Sequence, residues 1–175
     1  MPTSDFSTIP EVLRRVIRAD PKSILDIGVG FGKWGMLFRE YLELYGHSDE
    51  NRISPDAWER RIDGVEIFPK YIGPWQESIY DSIFMVDIRN FDRIGDYDLV
   101  FMGDVIEHLP REDGVALLSR IKTRVIVVTT EDTPARPPIF GNSHEAHISS
   151  WSRQDFPGFL VDVVGGKIIA ERGCP

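Results

Sequence analysis

Short apolar runs alternate along this chain with stretches whose apolar residues recur every three or four positions. The runs read as buried strands and the periodic stretches as amphipathic helices. Ile24, Leu25 and Ile27 form the first run; segment 33–44 then carries Trp34, Leu37, Phe38, Tyr41 and Leu42 at helical spacing, with Tyr45 just beyond. Further strands are predicted over 61–67, 79–86, 97–102 and 124–130, the last being the segment richest in β-branched residues. Helices are predicted over 8–19, with Val12, Leu13, Val16 and Ile17 inward, and over 111–121, with Val115, Leu117, Leu118 and Ile121 inward. Thr8 and Glu11 have capping-box spacing, and Arg14, Arg15 and Arg18 read as a solvated helix face. A weaker helix over 69–78 is interrupted at Gly73-Pro74. The third and fourth strands are joined by so short a connection that a full helix there is expected to be missing or reduced to one turn.

At the end of the chain, F-L-V-D-V-V, Gly165-Gly166 and K-I-I-A-E-R read as a β-hairpin with a two-residue turn. The whole pattern predicts an α/β chain with a mostly parallel sheet. It forms a single domain over 1–175, with an N-terminal helical region (1–22) and a core (23–172). Two segments, 46–59 and 131–150, are polar and longer than ordinary connections. The second is rich in proline, leaves the carboxyl end of a strand, and is expected to hang over the crevice where open α/β sheets bind ligands.

Composition narrows the function classes. The 175 residues carry a formal charge of −8, which argues against nonspecific binding to nucleic acid or anionic lipid. No apolar run is long enough to cross a bilayer, and the first ten residues have neither a basic leader nor an apolar core. The single cysteine, Cys174, allows no internal disulfide and no thiolate zinc cluster. A cytoplasmic protein is the expectation.

The candidate chemistry centres on Gly28, Gly30 and Gly32, between the first strand and the first crossover helix. Glycine lets a ligand approach the backbone and permits positive φ, and the following helix would point unpaired N–H groups at that ligand. The dinucleotide fingerprint would need glycine where Lys33 stands; the P-loop would need glycine at Ile27 and a hydroxyl at Trp34. Glu66 ends the second strand on the same crevice, where its carboxylate can accept both hydroxyls of a ribose.

The D-x-G-x-G-x-G of Asp26–Gly32 resembles motif I of the class I S-adenosylmethionine (SAM) dependent methyltransferases. Segment 103–110, G-D-V-I-E-H-L-P, resembles motif IV of their small-molecule branch. With Glu66, with Asp87 and Ile88 after the third strand, and with the terminal hairpin, the resemblance covers about 23–172. It implies a Rossmann-like methyltransferase fold: a mostly parallel seven-stranded sheet with a C-terminal antiparallel β-hairpin and helices on both faces. It implies SAM as cofactor, held by Asp26, Gly28, Gly30, Gly32, Glu66, Asp87, Ile88 and Asp104. Asp87 would accept from the adenine amino group, Ile88 would cover the ring, and Asp104 would lie beside the methionine portion.

The acceptor is expected to be a small molecule with an O- or N-nucleophile, since neither the D-P-P-Y motif of DNA amino-methylating enzymes nor a Pro-Cys nucleophile is present. No nucleic-acid or membrane partner is expected. Arg136, Asn142, Glu145 and Trp151 are the candidate acceptor-binding residues, and His108, His144 and His147 the candidate catalytic ones. His144, Glu145 and His147 also have metal-ligand types; a polar acceptor pocket, with no metal, is the reading adopted. The site would be closed by the two long loops, by a second subunit in a homodimer, or by a large substrate. Two alternatives stand: a non-catalytic SAM- or nucleoside-binding subunit, and an NAD-linked oxidoreductase, against which Lys33 and the hairpin both count.

Overall fold

The computed structural model describes residues 4–173, so Cys174 lies outside the described residues. Among these, seven strands form one sheet: β1 (Ser23–Ile27), β2 (Arg61–Glu66), β3 (Ser82–Met85), β4 (Leu99–Gly103), β5 (Arg124–Thr130), β6 (Leu160–Val164) and β7 (Lys167–Arg172). Their order is β3-β2-β1-β4-β5-β7-β6. The first five are parallel, and the hairpin adds β7 antiparallel to β5.

Because successive strand residues point to opposite faces, each strand feeds two cores. Ile24, Ile62, Leu99, Phe101, Ile126, Val128 and Ile169 pack under α1 (Ile9–Ala19), α2 (Lys33–Arg39) and α3 (Pro74–Ile79). Leu25, Ile27, Val65, Val100, Met102, Val125 and Val127 pack on the other face, under α4 (Arg111–Arg120) and the short turns after β3. The expected fold, with helices on both faces and a terminal hairpin, is the observed one. Between β3 and β4 the chain makes only 3₁₀ turns at Ile88–Asn90 and Arg93–Asp96, as the short connection requires.

Several local expectations are corrected. The Thr8 capping box does not form: Phe6–Thr8 is itself a 3₁₀ turn, and Asp5 caps it by accepting from the Ser7 N–H at 2.8 Å. Arg15 is buried rather than solvated, with its guanidinium paired to Glu11 and Asp162, while Ile17 is exposed in its stead. Val115 is exposed, since it stands two residues from the inward Leu117 and so across the helix. The first crossover helix ends its α-helical part at Arg39 and finishes as a π-helix over Glu40–Leu44. Tyr45 lies beyond that and is exposed.

Candidate functional site

The parallel register sets the strand tips side by side. Ile27 pairs with Val65 on one side and Met102 on the other. The next residues, Gly28, Glu66 and Gly103, therefore emerge together at the carboxyl edge, where open α/β sheets bind their ligands. A cavity of about 290 Å³ opens there.

Its floor is the turn from β1 to α2. Gly28, Gly30 and Gly32 have φ of +81°, +52° and +81°, a region that L side chains rarely adopt. At Gly28 a β-carbon would also stand 2.5 Å from Val105 Cγ2. Glu66 holds the turn in shape: Oε2 accepts from the Gly30 N–H at 2.9 Å and Oε1 from the Phe68 N–H at 2.8 Å. Burial raises its pKa, and these N–H groups draw it back down. Each oxygen keeps a second lone pair for a ligand.

Asp26 lies beneath the floor rather than on it. It is 1% exposed and accepts from the Tyr80 hydroxyl at 2.5 Å, while that hydroxyl accepts from the Gly35 N–H at 3.2 Å. Burial pushes its pKa to about 7. The carboxylate thus ties β1, α2 and the segment before β3 together. Gly32 likewise stands away from the cavity, at the N-terminus of α2. Both were expected among the cofactor contacts; the geometry makes them supports of the turn.

On the neighbouring tips, Asp87 caps the Ile88–Asn90 turn by accepting from the Arg89 N–H at 2.9 Å. It also pairs with the Arg89 guanidinium, which holds the Asp87 carboxyl below its usual range. Ile88 is buried beside it. Asp104 adopts φ +55° after β4 and pairs with Lys167 Nζ at 2.7 Å. Both aspartates and Ile88 line the cavity.

The opposite wall is the long loop after β5. Asn142, Ser143, His144, Glu145 and Ala146 face the cavity, as does His108 from the turn after β4. Asn142 caps its own 3₁₀ turn by accepting from the His144 N–H, and its amide donates to Tyr71 Oη at 3.3 Å. Tyr71 in turn donates to Glu145 Oε1 at 3.0 Å. His108 Nδ1 bonds the Ala146 carbonyl at 2.9 Å, and burial lowers its pKa.

Three loop residues singled out from the sequence stand off the cavity. The His147 ring meets His108 edge to face, with centroids 4.9 Å apart, and burial pushes its pKa down to about 4. Arg136 pairs its backbone with that of His147. Trp151 belongs to the core: it is 1% exposed, packs on Phe156 and against Gly114 of α4, and the expectation that it contacts an acceptor is corrected accordingly.

The sequence reading passed over Tyr71, Lys33 and Glu107. Tyr71 and Lys33 line the cavity. Glu107 sits behind it, 1% exposed, accepting from the Thr129 hydroxyl at 2.9 Å, and burial pushes its pKa up to about 8. The only signal for Glu107 was its place in E-H-L; for Tyr71 there was none, since its loop partners lie more than seventy residues away.

No protein-family model and no curated protein matches the chain. Solved structures do. The methyltransferase domain of bacterial CtHen1 is 18% identical, with TM-score 0.60 over 94% of this chain and 96% of that one. DhpI in complex with SAH is 18% identical, with TM-score 0.66 over 97% and 85%. The DhpI–SAM–HEP complex is 15% identical, with TM-score 0.69 over 94% and 85%. With the strand order and the terminal hairpin, these likenesses show that the chain has the Rossmann-like methyltransferase fold.

Proposed function

We propose that this chain is a SAM-dependent methyltransferase acting on an O- or N-nucleophile of a small-molecule acceptor. One observation carries the reading: a glycine floor and three carboxylate-bearing strand tips converge on one cavity, in a fold shared with proteins solved with SAH or SAM. The residues fit that cofactor. The floor lacks side chains at Gly28 and Gly30, so a ligand can lie against the backbone. Glu66 keeps free lone pairs for the ribose hydroxyls, Asp87 would exchange part of its Arg89 pairing for the adenine amine, and Ile88 offers an apolar edge to the ring. Asp104 lies on the methionine side. Acidic tips also suit a cation.

SAM, when bound, supplies a methyl group on a sulfonium, an electrophile that needs no covalent enzyme intermediate. The chain's part is to align the acceptor, and positioning of this kind can supply roughly 7–11 kcal/mol. His108 and His144 are the proposed groups for holding the acceptor or taking its proton, supported by their positions on the cavity wall opposite the glycine turn. Asn142 and Glu145 are the proposed acceptor contacts beside them.

Calorimetric titration with SAM, and separately with SAH, tests the reading. Binding of one equivalent is expected, weakened about tenfold or more by Glu66→Ala, which removes a charged acceptor worth roughly 1.5–3 kcal/mol per hydrogen bond. Isotope-labelled SAM with a panel of small hydroxyl and amine acceptors then reads turnover. Absence of binding to both ligands by a folded protein would overturn the assignment.

A further inference from the structure

Where His108 lines the cavity, Glu107 and His147 stand behind it, and the three bring one ligand atom each to within 4.8 Å of one another. They arrive from different elements: Glu107 and His108 from the turn after β4, His147 from the loop after β5. We propose that these three side chains bind a divalent first-row transition-metal ion. Two imidazoles and one carboxylate are a donor set that such ions favour, with coordination positions left open.

Three features of the cluster point to a ligand rather than to packing. First, Glu107 is 1% exposed; Thr129 satisfies Oε2, but Oε1 has no hydrogen-bond partner among the described residues. A buried carboxylate oxygen left unpaired is costly, and a cation beside it removes that cost. Second, His108 is already oriented. A carbonyl oxygen can only accept, so Nδ1 donates its proton to Ala146 O at 2.9 Å and Nε2 keeps its lone pair. That is the second partner which ligating histidines ordinarily have. Third, the separations are near those of an ion's ligands: tetrahedral ligands about 2.1 Å from a metal stand about 3.4 Å apart, so closure by up to about 1.4 Å suffices.

The charged neighbours are few. Asp104 is held by Lys167, and the charges of Arg136 and Glu145 oppose one another at His108, which leaves Glu107, as a bound carboxylate, to set the sign of the site.

Binding of the ion does not depend on the cofactor assignment. Its use does: resting on the SAM reading, an ion on His108 would lie on the acceptor side of the cavity, where an open coordination position can hold an acceptor hydroxyl and favour its deprotonation; His108 is then a ligand, and His144 is the group left to take the proton.

The experiment is titration of chelator-treated full-length protein with Co(II), followed by visible absorption, and with Mn(II), followed by loss of the free-ion EPR signal. One equivalent should bind. His147→Ala and Glu107→Gln should each weaken binding about 100-fold, more than or equal to the loss expected from an outer-shell change, while His144→Ala leaves the metal affinity unchanged. His147 is on a loop, so its variant keeps the test valid should the buried Glu107 change fail to fold; circular dichroism reports which is the case. SAM titration of the same samples separates the two claims. No saturable binding up to about 1 mM metal, a bare 4 kcal/mol of affinity, or equal binding by wild type and His147→Ala, overturns the metal site even where SAM binds. Metal bound without SAM leaves the site standing and sinks the cofactor reading instead.

Discussion

Asp26→Asn isolates the electrostatic cost stored under the glycine turn. The Asp26 carboxyl is 1% exposed; Oδ2 accepts from Tyr80, and Oδ1 has no partner among the described residues. Burial drives its pKa up to about 7; the Tyr80 hydrogen bond opposes this, and the nearby Glu66 adds to it. The unfolded chain titrates this group near the ordinary aspartate value of about 3.9. Between those two values the folded protein holds a proton that the unfolded chain has released. Stability from this group is therefore complete below about pH 4 and is lost as pH rises toward 7. At about 1.36 kcal/mol per unit, the full loss is about 4 kcal/mol, of which about 2 kcal/mol falls between about pH 5 and pH 7.

Asparagine mimics the neutral carboxyl and does not titrate, so it removes that slope. Glu66 and Glu107, whose pKa values burial also raises, act in the same direction in both proteins and largely cancel in the difference. Urea unfolding followed by tryptophan fluorescence at about pH 5, 6 and 7 measures it, read by linear extrapolation. Relative to wild type, Asp26→Asn should gain about 2 kcal/mol over that interval. A constant difference at every pH would refute the reasoning and mean that Asp26 is ionised throughout, stabilised by something other than Tyr80.

Gly28→Ala should cost about 1–2 kcal/mol for a β-carbon in the left-handed region and about as much again for crowding Val105, whose Cγ2 would be 2.5 Å away; urea unfolding reads it, and an unchanged midpoint would show that the turn can relax. Tyr71→Phe removes the hydroxyl that joins Glu145 and Asn142. It should raise hydrogen exchange of the 142–147 amides while changing global stability by only about 1 kcal/mol; equal exchange would sink the idea that Tyr71 latches the wall. Trp151→Ala should cost about 3–5 kcal/mol in the same unfolding assay, and a loss under about 1 kcal/mol would mean that its ring is not the core element its 1% exposure indicates.

The sheet and the glycine floor were legible because their signals are local. Segment 124–130 declares a strand by β-branching, Gly165-Gly166 declares a hairpin, and Asp26–Gly32 declares a turn within seven residues. Side-chain pairings across the sheet were not legible. Arg15 was read as solvated because, apart from Glu11 one turn back, its carboxylates Asp162 and Glu171 lie about 150 residues away on the hairpin. Trp151 was read as an acceptor contact because it follows a polar loop; what draws it inward is Gly114, a residue without a side chain on α4. Glu107 was legible only as part of segment 103–110, which resembles motif IV, and nothing near it in the chain says that Thr129 and His147 come to meet it.

Those long-range pairings explain how a loop of some twenty residues becomes a wall. Segment 131–150 was expected to hang over the crevice, and it does so under restraint. The Glu107 carbonyl accepts from the N–H groups of both Ile148 and Ser149, at 3.0 and 3.2 Å. Arg136 and His147 exchange backbone hydrogen bonds, and Asp132 donates its N–H to the Trp151 carbonyl at 2.9 Å. Buried Trp151 closes one end, and Tyr71 reaches across to Glu145 in the middle. Pro134, Pro137 and Pro138 reduce the freedom that ordering must remove. A wall tied down at both ends and in the middle presents Asn142, His144 and Glu145 to the cavity in fixed positions. On the proposed methyl-transfer reading, such pre-organisation is what a reaction governed by alignment demands. It also means that Glu107 serves two ends at once: its backbone holds the loop, and its side chain faces the histidine that the loop brings.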